Sequence, residues 1–327
     1  MYCNDSALAA SSAAMSNPFI RAIPPSLVRF FARPYVAGDS LAKAVDTAAD
    51  MLRSRGLLTT LDLLAEEITS QADVEENLAT YLEMINAASG DDRFITTKQR
   101  PTVSLKLSSF TLAPLDRGGD GAGSREAAMR LAEHSKQRNV RLTIDMENSD
   151  WTDFTLDTVA ALHDKGHHHV GTVIQTRLHR TDSDLDRLPK GCRVRLVIGI
   201  YQERAKIAFT DKHKMKERLL TLGSELLKRG HCVELATHDE AYVRRFFDEV
   251  VPQTGAQPHK FEAQMLYGVP RMTLQKELVE RGIPTRLYLP FARSWSMAIA
   301  YLRRRLDEYP AMMFSVLGDV IRSRGRA

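Results

Sequence analysis

The sequence predicts an α/β chain folded as a closed (βα)8 barrel of the TIM type, and three features carry that prediction. Eight short β-rich runs recur between residues 57 and 290. Amphipathic helical runs separate most of them, the alternation that builds a parallel sheet. No Gly-rich phosphate turn follows the first run, as an open doubly wound sheet would normally require. Eight βα units over about 250 residues match the usual size of such a barrel.

Taken in order, residues 1–17 lack a basic stretch followed by an apolar core and read as a flexible tail, not a signal peptide. Residues 18–54 read as extra N-terminal helices. Val28, Phe31 and Ala32 keep helical spacing up to a break at Arg33-Pro34, and Leu41, Ala44, Val45, Ala48 and Leu52 resume it. Residues 55–327 read as the barrel domain. Its predicted strands are 57–62, 102–108, 140–146, 169–175, 193–199, 232–237, 260–265 and 285–290, with helices over 125–138, 212–229, 239–250 and 271–281 among the connections. The glycines of GGDGAG at 118–123 follow no clean strand and read as a mobile connection, not a phosphate cradle. After the eighth strand, SWSMAIAYLRRRLDEY forms a last helix with two stripes. Trp295, Ile299, Leu302 and Leu306 make the apolar one, and Tyr301, Arg304, Arg305 and Glu308 the polar one. It starts from the barrel rim and is expected to lie over the active site.

Composition narrows the class. Hydrophobic residues make up 43% and charged residues 26%, as in an ordinary globular enzyme. No apolar run reaches the roughly eighteen residues of a membrane-spanning helix. The net charge of +4 comes without a long basic block, so nucleic acid is not an expected partner. The basic excess, with Phe30-Phe31 in a basic N-terminal helix, would allow peripheral contact with a membrane surface, but a solvated surface and helix packing on the barrel are the default readings. Cys3, Cys192 and Cys232 show no CxxC spacing, which leaves no disulfide framework or zinc site. His167, His168 and His169 alternate faces on a strand and cannot converge on one metal ion. The expected compartment is the cytoplasm.

Strand parity points to chemistry. Ser104, Lys106 and Ser108 share the face turned to the barrel axis, while Val103, Leu105 and Leu107 turn to the helices. Asp145 lies with Thr143, Gln175 with Val173, and Arg195 with Arg193 and Val197. These groups sit near the C-terminal ends of their strands, where barrel enzymes build their sites. Two readings are open at this point: Lys106, Asp145 and Arg195 neutralise one another, or they bind a ligand. Two adjacent guanidiniums on the last helix, with Lys106, would trap a carboxylate, and Tyr288 and Tyr301 offer flat walls for a small apolar ring.

Seven motifs then occur in one order: GLLTTLDLLAEE (56–67), VSLKLSS (103–109), TIDMEN (143–148), RLVIGIY (195–201), ATHDE (236–240), FEAQMLYG (261–268) and RLYLPFARSW with YLRRRLDE (286–308). From about residue 28 to 309 the chain resembles the proline dehydrogenases, in particular the bacterial monofunctional ones. The resemblance implies oxidation of L-proline to Δ1-pyrroline-5-carboxylate, FAD as cofactor and a membrane quinone as electron acceptor. A separate pyrroline-5-carboxylate dehydrogenase would take the product. Hydroxyproline oxidation by an enzyme of the same family is the alternative.

Carried over by motif, Lys106, Arg304 and Arg305 would hold the proline carboxylate, the YxxRRxxE spacing from Tyr301 selecting the last two. Asp145, Leu196, Tyr201, Tyr288 and Tyr301 would enclose the ring. Arg195 would donate to flavin N5 and Gln175 would meet the pyrimidine edge. Met146, Val197, Ile198, Gly199, Ile200, Thr237, His238, Gln264 and Leu266 would line the rest of the FAD, with Glu308 bracing the helix or reaching the cofactor. Glu66 would be the gate carboxylate that pairs with the first arginine. Ile198 stands where the family usually has a lysine, so one charged FAD contact is expected to be missing. Ala65 and Ala292 replace glycines.

Overall fold

The computed structural model of the chain describes residues 33–64 and 68–299. Glu66, Tyr301, Arg304, Arg305 and Glu308, with the tail and the first of the N-terminal helices, lie outside the described residues. Eight parallel strands close into a barrel in sequence order: β1 Leu58–Leu63, β2 Thr102–Leu105, β3 Leu142–Ile144, β4 Val170–Gln175, β5 Arg193–Val197, β6 Cys232–Ala236, β7 Phe261–Leu266 and β8 Thr285–Phe291. β1 closes the ring against β8 through six register pairs, from Leu58 with Arg286 to Leu63 with Phe291.

Helices α1 Leu41–Arg55, α2 Gln71–Gly90, α3 Ser124–Gln137, α4 Thr152–Asp164, α5 Thr181–Asp184, α6 Lys212–Lys228, α7 Glu240–Arg245, α8 Val251–Thr254 and α9 Met272–Glu280 fill the connections. Side chains start several of them. Ser40 caps α1, Ser70 and Asp73 form a capping box on α2, and Asp211 and Asp239 accept from the first amides of α6 and α7. The reading of the sequence does not single out α2 and α4, whose buried faces include Asn77, Thr80, Thr155 and Thr158 beside the apolar residues. The predicted helix 239–250 is interrupted by a π turn over Phe246–Val250. Pro252, with no N–H to donate, sits just beyond it.

The apolar core is the layer between sheet and helices. Leu61, Val103, Leu105, Leu142, Ile144, Val194, Leu196, Leu235 and Leu287 project into it from the strands, against Tyr81, Met84, Leu131, Val159, Leu226 and Phe246 from the helices. A second cluster sits at the C-terminal rim, where Val36, Leu64, Ala292 and Ala298 pack with Trp295 and Met297. It ties the segment before α1 to the start of the last helix, seconded by a hydrogen bond from the Ala37 amide to the Pro290 carbonyl at 2.8 Å.

Two expectations are corrected here. β2, β3 and β5 stop at Leu105, Ile144 and Val197, earlier than predicted. Lys106 leads into a 3-10 turn over Leu107–Phe110, and Gly199 turns the chain with a φ of 100°, so Lys106, Asp145, Met146 and Ile198 to Tyr201 stand on the loops above the strands. The glycine-rich stretch 118–123 is a packed turn. A Cβ at Gly119 would lie 2.2 Å from the Ala113 backbone, and the Gly121 amide donates to the Ala113 carbonyl at 2.8 Å.

Leu61 is fully buried in the outer apolar layer. Leu61→Ala is expected to lower the unfolding free energy by about 3 kcal/mol, the usual cost of a buried cavity of this size, as measured by urea denaturation.

Candidate active site at the C-terminal rim

The barrel axis is polar from end to end. Thr60 and Thr102, both buried, share a 2.7 Å hydrogen bond between their hydroxyls. Above them Asp145 collects donors on both oxygens: Ser104 Oγ at 2.6 Å and Arg195 Nη1 at 2.7 Å on Oδ1, and Tyr288 Oη at 2.8 Å on Oδ2. Lys106 Nζ lies 2.6 Å from Asp62 Oδ1 and 3.7 Å from Asp145 Oδ2. The Arg195 guanidinium also stacks 5.0 Å above the Tyr288 ring. Structure therefore brings Lys106, Asp145, Arg195 and Tyr288 into one cluster, and adds Asp62 and Ser104.

The two carboxylates of this cluster differ. Burial works against ionisation of both, but Arg195 and Lys106, with the Ser104 and Tyr288 hydrogen bonds, hold the Asp145 carboxyl below the usual range. Asp62 has Lys106 as its nearest cation, and there burial outweighs the lysine and pushes the carboxyl up. Burial also works against the charge on Arg195, but Asp145 and Glu234 outweigh it and the guanidinium keeps its proton more firmly than usual. Burial, with Asp145 and Asp62 close by, drives the Tyr288 hydroxyl well above its ordinary value, so it stays a neutral donor.

A second set of buried charges lies below. Arg286 donates to Glu262 Oε1 at 2.6 Å and to the Thr59 carbonyl at 2.7 Å, and Arg193 pairs with Glu234. Gln264 links the two sets, accepting from Arg195 Nε at 2.7 Å. Sequence reasoning did not assign roles to Asp62, Glu234, Glu262 or Arg286. The signal was a charge inside an otherwise apolar strand at the parity of the known inward residues.

Around the mouth, Gln175 Nε2 donates to the Glu147 carbonyl at 2.7 Å, while its Oε1 is buried with no partner among the described residues. Arg195 Nη2 is likewise buried and unpartnered among them. A Cβ at Gly199 would fall 2.2 Å from Gln175 Oε1, so the glycine keeps backbone and amide in close approach. His238 Nε2 accepts from the Leu266 amide at 2.8 Å, which leaves the ring proton on Nδ1. Met146 is buried, Val197, Ile198, Gly199, Tyr201, Thr237, His238 and Leu266 are half-buried, and Ile200 is exposed. Leu196 is the exception. It is fully buried on the face opposite Arg195, shared with its register partners Ile174 and Leu235, and so turns toward the helices.

Opposite shifts make a pH prediction. Asp145, with a lowered value, adds stability that is present above the ordinary carboxylate range and lost on acidification through its folded value. Asp62, with a raised value, adds stability at low pH that is lost as pH rises through its folded value. At pH 7, Asp145→Asn should cost about 3–5 kcal/mol in urea unfolding because it strands the buried Arg195 charge, and Asp62→Asn should cost less. Repeating the titrations at lower pH should narrow the gap.

Comparison with known proteins bears on the family and the fold. The family model described as proline dehydrogenase matches residues 45–313. Proline dehydrogenase of Deinococcus radiodurans is 36% identical over 286 residues, 85% of this chain and 86% of that protein. Proline dehydrogenase 2 of Bacillus subtilis is 32% identical over 86% of this chain and 88% of its own length. Among solved structures, proline utilization A from Bdellovibrio bacteriovorus, inactivated by N-propargylglycine, superposes with a TM-score of 0.72 at 19% identity, over 85% of this chain and 32% of that one. Proline utilization A from Bradyrhizobium japonicum gives a TM-score of 0.67 at 22% identity, over 84% of this chain and 30% of its own. The chain thus spans about a third of those longer polypeptides, and the superpositions bear on the fold. With the family model covering most of its length and curated relatives above 30% identity over more than four fifths of it, the chain belongs to the proline dehydrogenase family.

Proposed function

We propose that the protein oxidises L-proline to Δ1-pyrroline-5-carboxylate with bound FAD and passes the electrons to a membrane quinone, the first step of proline breakdown. The observation that carries the reading is a pair of buried polar atoms at the rim, Arg195 Nη2 and Gln175 Oε1, each without a partner among the described residues. One is a cationic donor and the other a neutral acceptor. That donor set fits the edge of an isoalloxazine, which offers an acceptor at N5 and a donor in its pyrimidine ring. Gly199 lets the backbone pass close against the Gln175 amide, which keeps Oε1 at the rim in this reading.

When bound, FAD supplies a ring that accepts two electrons as hydride. What the chain supplies is position and charge. Lys106, with Arg304 and Arg305, holds the substrate carboxylate. Tyr201, Tyr288 and Tyr301 wall the pyrrolidine ring. Asp145 fixes both Tyr288 and Arg195, so the wall and the cation move as one unit. Arg195 would hold its charge beside N5, where negative charge would develop on reduction. The amine nitrogen must be neutral when hydride leaves the adjacent ring carbon, since a protonated nitrogen has no lone pair to form the imine.

Met146, Val197, Ile198, Gly199, Ile200, Thr237, His238, Gln264, Leu266 and Glu308 complete the FAD site in this reading, and Glu66 closes it against Arg304. Leu196 drops out of the substrate wall because it turns to the helices. Tyr288, already committed to Asp145, crowds a ring hydroxyl and favours proline over hydroxyproline. No helix among the described residues is long and apolar enough to cross a membrane. We place the protein in the cytoplasm, at times peripheral on the inner membrane, with a separate pyrroline-5-carboxylate dehydrogenase taking its product.

The purified protein should carry a flavin absorption band that bleaches anaerobically when L-proline is added. A colourless protein that does not take up FAD, or a band indifferent to proline, would refute the proposal. Lys106→Met, Arg304→Ala and Arg305→Ala should each raise KM, with a loss of about 1.5–3 kcal/mol in kcat/KM, the scale of a charged hydrogen bond. Steady-state kinetics with proline would check this.

A further inference from the structure

Gln264 lies 3% exposed at a junction of charges whose geometry leaves its amide one orientation. Its Nε2 donates to Glu234 Oε2 at 2.7 Å and to Glu262 Oε1 at 2.7 Å. Its Oε1 accepts from Arg195 Nε at 2.7 Å. A flipped amide would set an oxygen against two carboxylates and an NH2 against a guanidinium N–H, losing three hydrogen bonds and adding like-sign contacts. The lock is tightest while Glu262 is ionised. Burial works against ionisation of Glu262, but Arg286, 2.6 Å away, and Arg193 outweigh it and hold the carboxyl at about 2. Glu234 is paired with Arg193.

Arg195 is consequently gripped on two sides. Gln264 takes Nε, and Asp145 and Ser104 take Nη1 at 2.7 and 3.1 Å. Nη2 is the nitrogen left without a partner among the described residues. A guanidinium is planar, so fixing two of its nitrogens fixes where the third points.

We propose that Glu234, Gln264 and Glu262 form a positioning relay that aims Arg195 Nη2 at the flavin and thereby raises the flavin's reduction potential. The inference rests on the flavin reading given above. Gln264 has a separate role in it from that of a cofactor-lining residue: it touches Arg195, Glu262 acts through it, and Glu234 both holds its amide and lies 3.9 Å from Arg195 Nε. With the grip on Nε removed, the guanidinium can rotate about its remaining contacts, and its charge is no longer held at the position where reduction places electron density.

The test is an anaerobic redox titration of the flavin-loaded Gln264→Met protein, together with its visible spectrum, flavin content and proline kinetics. Methionine keeps the length and loses the acceptor. The expected result is a lower midpoint potential and a shifted flavin band, with kcat down about tenfold and KM for proline within about twofold. A folded, flavin-loaded Gln264→Met protein with wild-type potential and spectrum overturns the relay. Should that variant fail to fold or to hold flavin, Gln264→Asn is read the same way, because it keeps the amide and every charge while withdrawing the oxygen from Arg195 Nε. Wild-type protein that binds no flavin, or is not reduced by proline, would instead defeat the functional reading itself.

Discussion

Inside the barrel, where most (βα)8 proteins interleave branched apolar side chains, this chain interleaves charge. Lys106, Arg193, Arg195 and Arg286 pair with Asp62, Asp145, Glu234 and Glu262, six of them on the parallel strands and Lys106 and Asp145 just above strand ends. Burying any one of these groups alone would cost several kcal/mol. They are tolerated because each ion meets a counter-ion at hydrogen-bonding distance. The apolar driving force comes from elsewhere, from the layer between strands and helices that contains Leu61, Leu105, Leu196 and Phe246. That division lets the interior be shaped for chemistry while the exterior of the sheet holds the fold.

The axial charges also tie the strands together at the rim. Asp145 is not merely a neighbour of the substrate pocket: it joins Ser104 on β2, Arg195 on β5 and Tyr288 on β8, three strands spread around the ring. A change at any of them moves the others. Loop groups complete the frame, with Glu147 accepting from the Ser108 amide at 3.0 Å and its carbonyl fixing Gln175. The site is therefore a set of coupled side chains on strand ends, with Arg195 Nη2 and Gln175 Oε1 among the buried atoms left unpartnered in the described residues.

Much of this was legible in the sequence. Eight β-rich runs gave the barrel, and period-two alternation put Ser104, Lys106, Asp145, Gln175 and Arg195 on the inner face. The same rule applied to LLTTLD, CVELAT, KFEAQM and TRLYLP would have found Asp62, Glu234, Glu262 and Arg286, since each is a charge at the inward position. What alternation cannot give is where a ladder ends. β2, β3 and β5 stop where loop contacts such as those of Ser108 with Glu147, and the turn at Gly199, replace strand pairing. Nor can it give pairing partners: Lys106 lies nearer Asp62 than Asp145, a fact set by the closure of β1 onto β2 and β8. The resemblance placed Leu196 against the substrate, whereas alternation on β5 already assigned it to the other face.

The most direct measurement is a crystal structure of the flavin-loaded protein with a non-oxidisable carboxylate analogue of proline. The account predicts Arg195 Nη2 and Gln175 Oε1 each at about 3 Å from the isoalloxazine edge, a hydrogen-bonding distance, with the analogue's carboxylate on Lys106. An isoalloxazine bound away from both atoms, with Arg195 Nη2 and Gln175 Oε1 hydrogen-bonded to water instead, would contradict it.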